Sequence, residues 1–274
     1  DWKDDPFFIM DMNIALDCVI TDYIQKGKKL PGLERAVKFA EEHRSVGLGI
    51  LGFHSYLQKN MIAFGELKSY QVNEQIFKRL REQSDIASKW MATVWGEPKF
   101  MEGYGLRNSS RLAQAPTKST SFITGGWSLS TEANKSNYHL KDLAKIQENW
   151  KNPVLLGFLK EKSYNTREVW KSILVNNGSV AHLDFLTAHE KKVFATFSEV
   201  SQVDVIKLAA QRQKYIDMGQ SINIMIHPET STRDINKLHL LAFDEGLKSL
   251  YYQYSINAAQ ELNRELMTCS ACEA

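Results

Sequence analysis

Near the start of the chain, Ile9, Met12, Ala15, Leu16, Val19, Ile20 and Tyr23 recur at helical spacing. This pattern predicts a helix over residues 8–25. It stops at "QKGKKLPG", a loop by composition. A longer amphipathic helix is expected over residues 70–94, with Val72, Ile76, Leu80 and Trp90 on one side and "WGEP" ending it. A polar, turn-rich stretch follows to about residue 136, and then a helix-rich one to about residue 197.

The last third carries the clearest signals. "SEVSQVDVIKLAAQRQKYIDMG" opens on Ser201 with Asp204 downstream, a variant of the capping box. It closes on Gly219, a residue suited to the left-handed position after a helix. "SINIMI" alternates and is rich in isoleucine, so it reads as a strand. "STRDINKLHLLAFDEG" repeats the helix pattern with Ser231, Asp234 and Gly246, and the aromatic "KSLYYQYS" is again strand-like. Strand, helix and strand make a βαβ unit with a right-handed crossover, so the fold class is α/β.

Composition narrows the function classes. The 274 residues are 43% hydrophobic and 24% charged, with a net charge of +2 from 34 basic and 32 acidic residues. That balance gives no electrostatic support for nucleic-acid binding, and no apolar run approaches a membrane span. The acidic start, "DWKDDPFFIM", lacks the positive charge of a signal peptide. Three cysteines argue for a reducing compartment, and a cytoplasmic location is expected. A first residue other than methionine suggests a piece of something longer.

Candidate chemistry falls in four places. "GLGILG" matches G-x-G-x-x-G, but it follows the charged "AEEHRS" and itself resembles a strand. Glycines permitting close packing are therefore preferred to a dinucleotide site. "QAPTKSTSFITGG" crowds four hydroxyls and Lys118 into residues 117–121; this suits a phosphate cradle, although a plain Ser/Thr loop would look the same. Tyr251 and Tyr252 are adjacent. They could be core packing or a redox pair, and stacking them requires a strand end or bulge, because strand neighbours point to opposite faces. Finally, "MTCSACEA" places Cys269 and Cys272 at the C-terminus, where close thiols can form and break a disulfide easily. His182 and His189 could share a helix face with Asp184 and Glu190 but complete no ligand cluster, and no metal site is expected.

These features occur in an order that resembles the catalytic large subunit of class I ribonucleotide reductase. "RSVGLGILGFHSYL" is similar to its glycine-rich strand and following helix, "GYGLRNSSRLAQAPTKSTS" to its G-x-R-N-S segment and diphosphate loop, and "FDEGLKSLYYQYS" to the element bearing its tyrosine pair. The overall wording looks like the enzyme of T-even-like bacteriophages. The resemblance implies the later part of a ten-stranded α/β barrel over residues 1–262 and a flexible redox tail over 263–274.

By the same resemblance, Pro116, Thr117, Lys118, Ser119 and Thr120 would cup the diphosphate of a ribonucleoside diphosphate. Tyr251 and Tyr252 would form the last radical relay. Cys269 and Cys272 would re-reduce the active-site disulfide and be reduced in turn by thioredoxin or glutaredoxin. The helix over residues 234–245 would line the groove for the tail of the small subunit. No cofactor would be bound by this chain itself, because the radical comes from the di-iron/tyrosyl small subunit.

The family's N-x-C-x-E run is absent, and Cys18 lies in "ALDCVITDY", where the family's second active-site cysteine does not belong. A split subunit or a fragment is therefore expected, working in complex with the N-terminal part and the small subunit and exposing apolar faces by itself. The alternatives are a catalytically inactive binding module and a stand-alone thiol–disulfide exchange protein.

Overall fold

The computed structural model describes residues 3–143 and 146–255, with backbone only over residues 140–148. In chain order the elements are α1 (Phe8–Gly27), α2 (Glu34–His43), α3 (Phe53–Lys59), α4 (Leu67–Trp95), a 3-10 turn (Lys99–Met101) and α5 (Lys118–Ile123). Then come β1 (Tyr138–Leu143), β2 (Ile146–Lys151), α6 (Pro153–Glu161), α7 (Arg167–Val175), α8 (Ala188–Val193), α9 (Gln202–Gln213), β3 (Ile224–Ile226), α10 (Thr232–Asp244) and β4 (Gln253–Ser255). Two compact units contain them. The first takes residues up to Gly49, Val72–Ala115 and Gln211–Gln220; the second takes Ile50–Gln71, Pro116–Ala210 and the chain from Ser221 onward.

In the first unit, α1 forms where the apolar periodicity predicts it, but a different face is buried. Ile9, Asn13, Asp17 and Ile24 point inward, while Met12 and Val19 are exposed. The reason is a buried ion pair. Asp17 is 1% exposed and receives both Nε and a terminal nitrogen of Arg44 at 2.8 Å. Asn108 donates to the same carboxylate at 3.0 Å, and the Arg107 Nε lies 3.5 Å from its other oxygen. Both come from the G-x-R-N-S segment, whose Arg107 also donates to the carbonyls of Trp95 and Gly96.

The helix α4 carries a polar seam in the same way. Ser84 and Ser88 are fully buried beside Ala87 and Met91, whereas Trp90, expected on the apolar side, is exposed. Ser88 accepts from the backbone N–H groups of Arg107 and Asn108, which explains its burial.

Extended segments of this unit run parallel. Leu48 bridges Leu112, and Gln114 bridges Gln220. A Cβ on Gly47 would fall 2.8 Å from the Ala113 Cβ, and one on Gly49 2.3 Å from the Ala113 carbonyl oxygen. The glycines therefore permit close strand approach, as read from the sequence.

In the second unit, β1 and β2 form an antiparallel hairpin where helix had been expected. The residues between the strands, Ala144 and Lys145, carry none of the turn chemistry that announces a hairpin. The βαβ unit forms as predicted: β3 and β4 pair in parallel, and α10 lies between them in sequence. Ser231 caps α10 by accepting from the Asp234 N–H at 3.2 Å, and Gly246 follows with φ +77°. The strand β3 is buried throughout rather than alternating. Ser201 caps α9, accepting from the Asp204 N–H at 3.3 Å. That helix, however, ends at Gln213 in turns closed by Tyr215 and Ile216, so Gly219 is not its left-handed terminator.

Among the described residues, two apolar clusters pack the second unit. One gathers Leu155, Leu159, Trp170, Ile173, Val193 and Phe194; the other gathers Phe197, Val205, Ala209, Ile222 and Met225. Between sequence-distant elements runs a buried polar network centred on His54, which is 0% exposed. Its Nδ1 accepts from the Asn134 N–H at 2.9 Å, so the neutral ring carries its proton on Nε2. Gln58 accepts from Asn152, Asn152 donates to Asn137, and Asn137 donates to the carbonyls of Gly178 and Phe194.

Burial pushes the His54 imidazole down to about 3, against a bond from its ring to the Val193 backbone carbonyl that raises it. The unfolded chain therefore takes up a proton first. Stability is complete above an ordinary histidine pKa of about 6.5 and falls as pH drops from there toward 3, by about 1.4 kcal/mol per pH unit. Two outcomes follow. Between pH 6.5 and 5, denaturant titration should show about 2 kcal/mol more loss for the native chain than for His54→Gln. Asp17→Asn, which leaves Arg44 buried without its charge partner, should cost about 3–5 kcal/mol by the same measurement at pH 7.

Candidate functional site

The hydroxyl-rich loop lies in the second unit, and it is not a plain loop. Thr117 takes a left-handed conformation, φ 52°, immediately before α5. The turn sets the N–H groups of Lys118, Ser119 and Thr120 at the start of a helix, where no intrahelical carbonyl reaches them. Lys118, Ser119 and Thr120 are exposed, while Pro116 and Thr117 are half-buried. Three N–H groups, hydroxyls and one ammonium at an exposed edge are the chemistry that an oxyanion needs.

A strap of residues 128–134 fixes this turn. The Ser130 N–H donates to the Thr117 Oγ1 at 2.9 Å, and the Ser121 hydroxyl donates to the Trp127 carbonyl. The strap is itself held by the segment after "GLGILG". The Gly52 N–H donates to the Ser128 carbonyl at 2.8 Å, where Gly52 stands at φ +81°. Ser55 and Ser128 exchange bonds, each backbone N–H donating to the other's hydroxyl at 3.0 and 2.9 Å. His54 and the Phe197 N–H then secure Asn134.

The other end of the strap reaches the tyrosines. Asn223, 4% exposed, donates through Nδ2 to the Glu132 carboxylate and accepts from the Tyr252 N–H at 3.2 Å. The Tyr251 N–H donates to the Ile222 carbonyl at 2.8 Å. Both tyrosines precede β4, at the strand end that lets neighbouring rings meet. Their ring centroids are 4.0 Å apart at 51°, and each residue is about half exposed (52% and 54%). A hydrogen bond with Tyr252 is the largest of the causes that hold the Tyr251 phenol above its ordinary value.

The remaining expected residues divide. Cys269 and Cys272 lie outside the described residues. His182 and His189 share no helix face: His182 sits in the turn before α8 beside Ser172, and His189, in α8, bonds with the Met61 carbonyl. Among the described residues there is no cluster able to hold a metal ion, and no helix is long and apolar enough to cross a membrane. Cys18 is exposed on α1, and α10 exposes Leu240 and Phe243. Sequence reasoning missed Glu132 and Asn223, which no motif marks. It also passed over Thr187 and Glu190, whose capping-box spacing was legible and is realised at α8.

Comparison with known proteins gives this geometry its family. The sequence profile described as "Ribonucleotide reductase, barrel domain" matches residues 14–103 and 95–253. The chain belongs to the ribonucleotide reductase large-subunit family. It is 40% identical over 256 residues to the ribonucleoside-diphosphate reductase large subunit of Invertebrate iridescent virus 6, covering 92% of this chain and 26% of that protein. It is 32% identical over 268 residues to the putative large subunit of Frog virus 3, covering 94% and 47%. The class Id ribonucleotide reductase alpha subunit of Actinobacillus ureae superposes with a TM-score of 0.88 at 51% identity, over 96% of this chain and 48% of that one. The chain thus spans about a quarter to a half of the reductase subunits it matches.

The reductase-family fold is the α/β barrel type read from the sequence. The tyrosine contact makes a direct prediction within it. In Tyr252→Phe, the Tyr251 phenol should titrate closer to its ordinary value of 10.0, read from phenolate absorbance against pH. An unchanged titration would mean that the contact is not made in solution.

Proposed function

We propose that this chain is the C-terminal portion of the catalytic subunit of an aerobic ribonucleoside-diphosphate reductase, converting ribonucleoside diphosphates to deoxyribonucleoside diphosphates by radical chemistry. The observation that carries the reading is the close, tilted ring contact of Tyr251 with Tyr252 just before β4, held by the strap that also fixes the Thr117 turn. Two phenols with centroids 4.0 Å apart can pass an electron between them while each hydroxyl exchanges its proton locally. Half-exposed rings suit a relay that receives its oxidising equivalent from another protein.

In this reading Pro116 and Thr117 shape the turn, and Lys118, Ser119 and Thr120 take the diphosphate through N–H, hydroxyl and ammonium groups. The tail, residues 263–274, carries Cys269 and Cys272 as a dithiol. It reduces the substrate-oxidised disulfide by thiol exchange and is restored by thioredoxin or glutaredoxin. Residues 1–262 complete a barrel begun by the N-terminal part of the subunit, and α10 contributes to the site for the radical-bearing di-iron/tyrosyl small subunit. The family relatives, several of them viral, support a virus-encoded enzyme acting in host cytoplasm. We assign it to the T-even-like phage type.

Reduction of a ribonucleoside diphosphate by this chain, the N-terminal part and the small subunit, with dithiothreitol present, tests the reading. Activity should require all three, and Tyr251→Phe should abolish it while the complex still assembles. Lys118→Ala should raise KM about tenfold with a smaller effect on kcat, as expected for a lost charge-assisted bond. Activity surviving in Tyr251→Phe would overturn the relay. A stable complex without activity would point to an inactive binding module.

A further inference from the structure

Tyr252 has a second aromatic neighbour that the relay does not use. The Tyr254 ring centroid lies 6.3 Å from that of Tyr252 at 54°. Geometry alone would therefore not prevent an oxidising equivalent on Tyr252 from moving to Tyr254 rather than back along the pair. Tyr254 is half-buried against the cluster of Ala133, Phe197, Ile222 and Met225, a poor place from which to recover it. One feature distinguishes this ring from the other two. The Lys135 ammonium stands 3.3 Å from the Tyr254 centroid, and among the described residues no cation covers Tyr251 or Tyr252.

We propose that Lys135 insulates Tyr254, keeping the oxidising equivalent on the Tyr251–Tyr252 pair by making the Tyr254 ring harder to oxidise. A cation over an aromatic face is attracted to its electron density. Removing an electron from the ring weakens that attraction, so a covered phenol gives up its electron less readily than an uncovered one. The suppressed step is one hydrogen-atom equivalent in size. An electron would pass from Tyr254 to the Tyr252 phenoxyl radical, the Tyr254 hydroxyl proton would go to solvent, and Tyr252 would take up a proton. Tyr252 would return to a phenol and Tyr254 would become the phenoxyl. Lys135 is placed to do this because the strap that ends in Asn134 also carries it. It is a positioning residue, since it does not itself react.

The biological purpose rests on the proposed relay, but the ring chemistry can be tested without it. The full chain, in its complex, is exposed to a low dose of peroxynitrite with bicarbonate, whose radicals nitrate a phenol only after removing an electron from it. Tandem mass spectrometry then gives the share of nitration at each of the three tyrosines. Lys135→Met, which keeps an apolar cover and removes the charge, should raise the Tyr254 share about threefold; Lys135→Arg should leave it near the native value. Acylation of the phenols by N-acetylimidazole, read at the same residues, reports accessibility. An unchanged Tyr254 share in Lys135→Met, or a rise matched by acylation, would overturn the proposal. In the assembled reductase, Lys135→Met should lower turnover and Lys135→Met with Tyr254→Phe should restore it. Should Tyr251→Phe remain active, the relay fails, and nitration still decides whether Lys135 protects Tyr254.

Discussion

The bond from the Asn134 N–H to the neutral His54 imidazole anchors the most consequential part of the second unit. A backbone strap buried beside apolar clusters must satisfy each N–H and carbonyl or lose on the order of 1–3 kcal/mol per orphaned group. Residues 128–134 meet part of this demand by bonding with Gly52, Phe53, His54 and Ser55 on one side and with Phe197 on the other. Two further groups of the strap reach the candidate site. The Ser130 N–H fixes the Thr117 turn, and the Glu132 carboxylate fixes Asn223 and, through it, Tyr252. One hydrogen-bonded strap thus supports both the candidate anion site and the tyrosine pair.

The first unit solves a similar problem with charge. Asp17 and Arg44 are taken out of water together, in bidentate geometry, with Asn108 satisfying the carboxylate further. Such a pair adds little net stability over apolar packing but fixes one arrangement of the elements that carry it. The cost appears on α1, whose apolar residues Met12 and Val19 are turned outward. The same turn of the helix leaves Cys18 on the surface.

The βαβ unit was legible because its signals are local: Ser231 caps, Gly246 terminates, and isoleucine marks β3. The adjacency of Tyr251 and Tyr252 was legible, and the need for a strand end to bring their rings together followed from strand geometry alone. The buried face of α1 was not legible, because a hydrophobicity pattern cannot show that Asp17 has a distant arginine partner. The end of α9 was misplaced at Gly219 because tertiary turns at Tyr215 and Ile216 outrank a downstream glycine. The hairpin β1–β2 went unseen for want of turn residues. Glu132, Asn223 and Lys135 act through contacts between segments far apart in sequence, so no motif could have marked them.

The claim most open to direct measurement is that the strap couples the Thr117 turn to the tyrosines. Native-state amide hydrogen exchange in Ser55→Ala, which removes one half of the reciprocal bond with Ser128, addresses it. The account predicts that protection at Ser130 and at Tyr252 falls together and by similar factors, as in a single cooperative unit. Loss of protection at Ser128 and Ser130 with native protection at Tyr252 would contradict it.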